Sequence, residues 1–187
     1  MAKTTRYVLP HRRRREKRTD YRARLHLVSG GKVRAVIRKS ESHITIDFVK
    51  WEKSGDKTML GVSSAHLMKF GWTAGTGNVP AAYLTGLLAG KLALVSGINE
   101  VVVDLGLQPS TSGSRIYATV KGLVDAGLKV PHDASMFPSE SRIKGEHIVA
   151  WSSKSGKPAF STYKIRPADL PKHFAEVKNK IEVAKNE

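Results

Sequence analysis

The sequence predicts an α/β fold, a mixed sheet of three antiparallel strands followed by α-β-α-β, with a basic N-terminal arm and a C-terminal helical extension. Three observations carry this prediction. Apolar residues alternate with polar ones in short segments between residues 33 and 63, which is the period of a half-buried strand. Beyond residue 78 the apolar residues recur at helical spacing, on either side of a run of valines. Most of the excess positive charge lies before or within the first strand.

The first three strands follow from this alternation and from the turns between them. Val33, Ala35 and Ile37 alternate with Arg34, Val36 and Arg38, residues 44–49 alternate in the same way, and residues 57–63 are predicted as the third strand. The turns at residues 40–42 and 54–56 are short and polar. Because parallel neighbours need a crossover of a dozen or more residues, these three strands are predicted to pair antiparallel.

The second half of the core is predicted as helix, strand, helix and strand. Asn78 suits an N-cap and Pro80 suits a first helical turn, so a helix begins there. The valines at 101–103 are typical of a strand that is buried on both faces. A helix over 115–126 and a short strand over 128–130 follow, and this succession predicts a right-handed crossover.

Composition divides the chain into three parts. Residues 1–29 form a basic RNA-binding arm, residues 30–131 form the α/β core domain, and residues 132–187 form an extension. Up to residue 166 the extension is rich in Pro, Ser, Gly and Lys and is predicted to be irregular. It ends in an amphipathic helix over residues 169–184.

Charge is the strongest global feature of the sequence. The 187 residues include 32 Lys and Arg against 16 Asp and Glu, which gives a formal net charge of +16 and a pI near 10.2. Residues 1–40 hold fourteen of the basic residues and two of the acidic ones. Such a segment attracts polyanions, chiefly nucleic acid or anionic lipid. The arginines at 12–15 have nothing apolar to bury, so the arm is predicted to be extended or disordered until phosphates neutralise it.

The arm and one face of the first strand supply the candidate RNA-binding residues. A guanidinium can hold a phosphate through two parallel hydrogen bonds or stack on a base, and a tyrosine can add stacking. The alternative, a solvated tail or a localisation signal, does not explain why the outer face of the following strand is also basic. The candidates are Arg12, Arg13, Arg14, Arg15, Arg18, Tyr21, Arg22 and Arg24 in the arm, and Arg34 and Arg38 in the strand.

The sequence predicts no metal, cofactor or membrane site. Cysteine is absent, and the seven histidines do not pair at metal-ligand spacing. The Gly-rich loop at 71–78 lacks the Gly-Lys-Ser/Thr ending of a nucleotide-binding loop, so it is predicted to be structural and to touch RNA phosphate at most. The apolar stretch at 80–96 is interrupted by Lys91 and is predicted to be a core helix.

A metal-dependent nuclease is the enzymatic alternative. Leading antiparallel strands in a mixed sheet are also found in ribonuclease-H-like folds, which hold divalent metal with several carboxylates. Asp47 and Asp104 lie on predicted strands, but no third acid falls at an obvious site. The first strand carries arginine where a metal-binding acid would be expected. A binding protein without enzymatic activity is therefore predicted.

Several motifs together resemble one ribosomal family. They are Arg6-Tyr7-x-x-Pro10-x-Arg12-Arg13-Arg14-Arg15-Glu16, Thr19-Asp20-Tyr21-x-x-Arg24-Leu25, Gly77-Asn78-x-Pro80-x-Ala82-Tyr83-Leu84, Asp104-x-Gly106-Leu107, Asp125-Ala126-Gly127-Leu128-x-Val130-Pro131-His132, Gly145-x-His147-Ile148 and Ala168-Asp169-Leu170-Pro171-x-His173-Phe174. Spread over nearly the whole chain, they resemble the archaeal form of large-subunit ribosomal protein eighteen.

The resemblance implies a structural function in the cytoplasmic ribosome. Members of that family bind 5S rRNA and help to anchor it in the central protuberance of the large subunit, with contacts to 23S rRNA and to neighbouring ribosomal proteins. The resemblance adds Arg6 and Lys39 to the candidate RNA-binding residues. A free-standing RNA-binding or RNA-processing factor is the alternative that the residues alone leave open.

Overall fold

The computed structural model describes residues 8–154, 160 and 163–184. Its strands are β1 (Val33–Lys39), β2 (Ile44–Glu52), β3 (Gly55–Ser63) and β4 (Val101–Asp104). Its helices are α1 (Arg12–Arg15), α2 (Tyr21–Ser29), α3 (Val79–Val95), α4 (Arg115–Asp125), α5 (Glu140–Lys144), α6 (Glu146–Lys154) and α7 (Leu170–Val183). Short 3-10 helices span Ser64–Phe70, Ala134–Met136 and Pro167–Asp169.

The four strands form one mixed sheet in the order β3-β2-β1-β4. β1 pairs antiparallel with β2, and β2 pairs antiparallel with β3, as the short turns predict. β4 lies parallel to β1, which places the later part of the chain beside the first strand. The mixed α/β fold is therefore confirmed, although the sheet has four strands in the described part of the chain.

The predicted strand over 128–130 is not formed. Only a parallel bridge between Glu100 and Lys129 remains, in which Val101 N–H donates to the Lys129 carbonyl at 3.1 Å. Pro131 follows at once, and it has neither the N–H nor the backbone freedom to continue a ladder. The crossover from β4 through α4 consequently ends in a single bridged residue.

α3 is the centre of the core and packs directly against α4. Two glycines permit this contact: a Cβ at Gly86 would lie 2.2 Å from the carbonyl oxygen of Thr119, and one at Gly122 would lie 2.3 Å from that of Tyr83. The helix backbones can therefore approach more closely than ordinary side chains allow.

Across the described residues, neither α3 nor any other helix is long and apolar enough to cross a bilayer.

Two segments that were predicted to be irregular contain helices. The arm folds into α1 and α2, and the Asp20 side chain caps α2 by accepting hydrogen bonds from the N–H groups of Arg22 and Ala23 at 2.9 and 3.3 Å. The extension contains α5 and α6, separated by Gly145 at a φ of 87°. A capping residue and a left-handed glycine are enough to start and stop short helices in polar sequence.

α7 attaches the end of the chain to the loop before α3. His173 Nε2 accepts a hydrogen bond from Thr73 N–H at 3.2 Å, and its ring stacks on Trp72 with centroids 5.2 Å apart. Burial lowers the pKa of His173, and Lys180 lowers it further, while Glu176 opposes them. The neutral imidazole is therefore the form that holds α7 in place.

Acidification should weaken this attachment. Because the pKa of His173 is lowered on folding, the unfolded chain takes up the proton first. The free energy of unfolding should thus be intact above the ordinary pKa of 6.5 and should decline as the pH falls from there through the folded pKa. Thermal unfolding at about pH 7.5 and 5.5 would measure the decline.

A His173→Gln variant is the matched control for this prediction. Glutamine keeps a hydrogen-bond acceptor for Thr73 but does not titrate. The variant should lose part of the pH dependence and keep the rest, because burial also lowers the pKa of His147. An unaltered pH dependence would show that His173 does not contribute.

Candidate nucleic-acid interface

The sheet has a core face and an outer face. On β1, Ala35 and Ile37 are buried in the core, whereas Arg34 and Arg38 lie on the opposite side with Val36, as the alternation predicts. We define the outer face by the residues that share this side of the sheet. They are Arg34, Val36, Arg38, Asp47, Val49, Asp56, Thr58 and Asp104.

The arm, described here from residue 8 to residue 29, lies over the outer face. The Arg24 Nη2 donates to the Asp56 Oδ2 at 2.8 Å and thereby joins α2 to β3. Between the arm and the sheet is a cavity of about 240 Å³. Its cationic lining residues are Arg13, Arg18, Arg24, Arg34 and Arg38.

The arginines of α1 are exposed and only weakly engaged. The Nε atoms of Arg12 and Arg18 lie 3.7 and 3.5 Å from carboxylate oxygens of Glu16, and the Arg13 Nε donates to Thr19 Oγ1 at 2.9 Å. Exposed ion pairs of this kind contribute about 0–1 kcal/mol, so a phosphate can displace them. The exposed candidates of the arm are Arg12, Arg13, Arg14, Arg15, Arg18 and Arg22.

Three other arm candidates have different surroundings. Tyr21 is half-buried, and its ring centroid lies 5.3 Å from that of His11 at an angle of 53°. Arg24 is partly buried by its pairing with Asp56. Arg6 lies outside the described residues.

Arg34 does not have the exposed position predicted for it. Its side chain is 3% exposed, its Nη1 donates to Asp104 Oδ2 at 2.9 Å, and its Nη2 lies 2.7 Å from Asp56 Oδ2. The second contact is an ion pair without hydrogen-bond alignment. The alternation identifies the correct face, but the arm covers that face and two carboxylates hold the guanidinium. Arg34 is therefore part of the framework beneath the arm.

Arg38 and Lys39 stay closer to solvent. Arg38 is exposed, and its Nη1 donates to its neighbour's carbonyl, Ile37 O, at 3.2 Å. The guanidinium lies against Gly106, whose φ is 62° and where a Cβ would be 3.0 Å from Nη1. The end of β1 thus presents one free guanidinium beside the arm, next to a partly exposed Lys39.

The ion pairs leave some of the cavity's cations available. Asp56 is shared by Arg24 and Arg34, and Asp104 accepts from Arg34 and from the Gly106 N–H at 2.9 Å. Within the described ranges, Arg13, Arg18 and Arg38 line the cavity without an ion pair to any of its carboxylates. Three guanidinium groups around one opening can receive phosphate oxygens.

The carboxylates of the outer face are not arranged as a metal centre. Asp104 is bound by Arg34 and Gly106, and Asp47 lies on β2, which β1 separates from β4. In the part of the chain that the structure describes, His, Cys, Asp and Glu do not gather in threes around a common point. The geometry of this face therefore supports binding of a polyanion.

The Gly-rich loop at 71–78 is built as a structural joint. The Arg115 Nη1 donates to the carbonyls of Ser40, Glu41 and Gly77 at 3.1, 3.3 and 2.7 Å. A Cβ at Gly77 would lie 2.2 Å from Glu41 O, so only glycine fits there. The Asn78 side chain caps α3 by accepting from Ala81 N–H at 2.8 Å.

Asp56 is the functional residue that the sequence analysis missed. It stands at a hairpin turn, where aspartate is common for local reasons. Asp56 pairs with Trp51 where β2 ends and β3 begins. This register places its side chain on the outer face, below Arg24. Its pairing with residues 22 and 32 positions earlier in the chain is not visible in sequence spacing.

Comparison with known proteins adds independent evidence. The family model described as ribosomal large subunit proteins 60S L5 and 50S L18 matches residues 5–99 and 96–133. The chain is 47% identical to large ribosomal subunit protein uL18 of Methanothermobacter thermautotrophicus, over 97% of this chain and 98% of that protein. It is 46% identical to uL18 of Halobacterium salinarum and 44% identical to uL18 of Natronomonas pharaonis, with the same coverage.

Proposed function

The chain belongs to the family of large-subunit ribosomal proteins L5 and L18, and from this premise we propose that it binds 5S rRNA and helps to anchor it in the central protuberance. As a family member it is a constituent of the large ribosomal subunit. The proposal includes additional contacts with 23S rRNA and with neighbouring ribosomal proteins. Residues 1–29 are proposed as the RNA-binding arm, residues 30–131 as its supporting core and residues 132–187 as an extension that packs on this core.

One observation carries the proposal: Arg24 joins the arm to the sheet while the arginines of α1 stay exposed. Arg24 joins the arm to Asp56, and Arg34 links Asp56 to Asp104 across the sheet. The arginines of α1 point to solvent with weak local partners only. A pre-ordered row of guanidinium groups loses less conformational entropy on binding RNA than a loose tail does.

The proposed RNA ligands are the arm's exposed arginines and the end of β1. Arg6, Tyr21, Arg38 and Lys39 remain candidates on grounds of composition, position or resemblance. Arg34 is proposed instead to position the arm. No step of catalysis is needed for this function, because holding an RNA in place requires only phosphate contacts and shape recognition.

Replacing Arg12, Arg13, Arg14 and Arg15 together with glutamine should weaken binding of 5S rRNA at least about tenfold and flatten its salt dependence. Each phosphate contact contributes about −0.7 to −0.9 to the slope of log affinity against log salt. We expect a slope of roughly −5 to −8 for the unmodified chain and one shallower by about 3 for the variant. Filter binding over a salt series measures both slopes.

A variant with the same loss of charge away from the arm is the control. Glutamine replaces four exposed lysines, which are Lys69, Lys129, Lys144 and Lys172. This variant should keep a slope close to that of the unmodified chain. Equal flattening in the two variants would show that net charge, and not the arm, determines the affinity.

Co-sedimentation separates the ribosomal function from a free-standing RNA factor. The proposal expects the chain to sediment with large subunits and to bring 5S rRNA with it when purified. A free-standing factor would be recovered apart from the subunits and bound to other RNA.

A further inference from the structure

A second surface has the composition of an RNA-binding groove. It lies between the start of α3, α4, α6 and the segment around residue 163, and it shares no lining residue with the cavity under the arm. Its volume is about 450 Å³, within the range of about 300–1,000 Å³ that is usual for small-ligand sites. We term it the aromatic groove. Its characteristic residues are Arg115, Arg142, His147, Trp151, Phe160 and Tyr163.

Three aromatic rings form the wall of this groove. Trp151 and Phe160 meet edge to face with centroids 5.6 Å apart at 77°, and Phe160 and Tyr163 meet at 5.1 Å and 63°. Such tilted contacts fix a ring without covering both of its faces. Trp151 accordingly remains 51% exposed, which is unusual for a tryptophan that already has an aromatic partner.

The wall is held by hydrogen bonds and by close packing on the Gly-rich loop. The Tyr163 hydroxyl accepts from Asn78 Nδ2 at 3.1 Å. A Cβ at Gly75 would lie 2.9 Å from the Tyr163 ring, so the loop backbone rests directly against it. Lys164 N–H donates to the Thr73 carbonyl at 3.1 Å. The position of the Tyr163 ring is therefore fixed by the Gly-rich loop.

The charge of the aromatic groove is entirely positive. Arg142 is exposed, and the hydrogen bonds of Arg115 all go to neutral carbonyls, so no carboxylate offsets its charge. No Asp or Glu lines the groove among the described residues. His147 also lines it, and its buried Nδ1 has no hydrogen-bond partner in the described part of the chain.

We propose that the aromatic groove binds an unstacked RNA base on the open face of Trp151, with the adjoining phosphate held by Arg142. A nucleotide combines a flat π-face with a negative charge, and single-stranded RNA is recognised by aromatic stacking together with guanidinium groups. An apolar peptide would leave the guanidinium of Arg142 unused. This proposal rests on the proposed function only in its assumption that the chain is a component of an RNA-containing particle. The groove itself is a surface separate from the arm.

Ultraviolet crosslinking of the full chain to a short oligouridine of about ten nucleotides tests the aromatic groove. Trypsin cleaves after Lys144 and Lys154, so residues 145–154 form one peptide that carries Trp151, while the arm gives separate peptides. We expect a crosslink on Trp151. An Arg142→Glu variant should lower its yield several-fold and leave the arm crosslinks unchanged, and a Lys129→Glu control should change neither.

The outcomes for the two surfaces are independent. Crosslinks on arm peptides with none on residues 145–154 would overturn the proposal that the groove binds RNA and would leave the proposed function intact. The groove would then be available to a protein partner. The opposite pattern would support the groove and count against the arm. An unchanged Trp151 yield in Arg142→Glu would overturn the phosphate contact.

An affinity measurement provides a second test of stacking. In the variant with glutamine at residues 12–15, Trp151→Ala should weaken oligouridine binding roughly fivefold or more, since one base stack is worth about 1–3 kcal/mol. Trp151→Phe, which keeps a ring, should retain most of the affinity. Equal losses in both variants would contradict stacking.

Discussion

The Arg34→Ala variant should lose about 3–5 kcal/mol of unfolding free energy, because it leaves buried carboxylate charge without its partner. The Arg34 side chain is 3% exposed and that of Asp104 is 12% exposed, so the Asp104 carboxylate is largely shielded from bulk solvent. Asp56 keeps its ion pair with Arg24, so the link between the arm and the sheet remains. Urea or thermal denaturation of the free protein measures the loss.

Arg38→Ala is the matched control for this experiment. Arg38 lies on the same strand and the same face, but it is exposed, so its replacement should change stability by no more than about 0.5 kcal/mol. Arg34→Met combined with Asp104→Asn should recover part of the loss, because no uncompensated charge then remains. Similar stabilities of Arg34→Ala and Arg38→Ala would contradict the buried network.

The Gly86→Ala variant should lose about 3 kcal/mol, near the upper end of the usual cost of overpacking. The new methyl group would meet a backbone carbonyl, that of Thr119, at 2.2 Å, and neither helix can yield without moving as a whole. For a chain of this size the melting temperature should fall by roughly 6–12 °C.

Gly30→Ala is the control, because it makes the same substitution at a position where the added methyl group has space. At Gly30 the nearest atom to an added Cβ is Leu27 O at 3.7 Å, and the φ of −70° suits alanine. Gly30→Ala should therefore be neutral or slightly stabilising. If Gly86→Ala were equally neutral, the close approach of α3 and α4 would not be needed for stability.

The sequence predicts well the elements whose own residues carry a clear periodic pattern or a capping signal. The alternation at 33–37 and 44–48 predicts the strands and also which side of β1 faces the core. The leucine-rich segment after Asn78 predicts α3 and its cap. For the strands, burial of one face against the core determines both the periodicity and the structure. α3 is buried on nearly all sides, and its cap and apolar length identify it.

The wrong or incomplete predictions concern features that depend on residues distant in the sequence or on a single residue that ends an element. Alternation places Arg34 on the outer face, but it contains no information on the arm that covers this face or on Asp56. Pro131 stops the predicted last strand although residues 128–130 have strand-like composition. The aromatic groove was not predicted, because its rings come from a segment whose Pro, Ser and Gly content predicts irregular structure.

Under the proposed function, the ion pair between Arg24 and Asp56 would also affect how the arm searches for RNA. A free tail has a wide capture radius and must be ordered after first contact, whereas a tethered array searches a small volume. Arg15 lies nine residues before Arg24, so it can move at most roughly 30 Å from the anchor even if the chain between them is fully extended. If the arm binds RNA as proposed, we expect its first contact to be slower than that of a free tail and more selective for orientation, which suits a component that joins a particle in one pose.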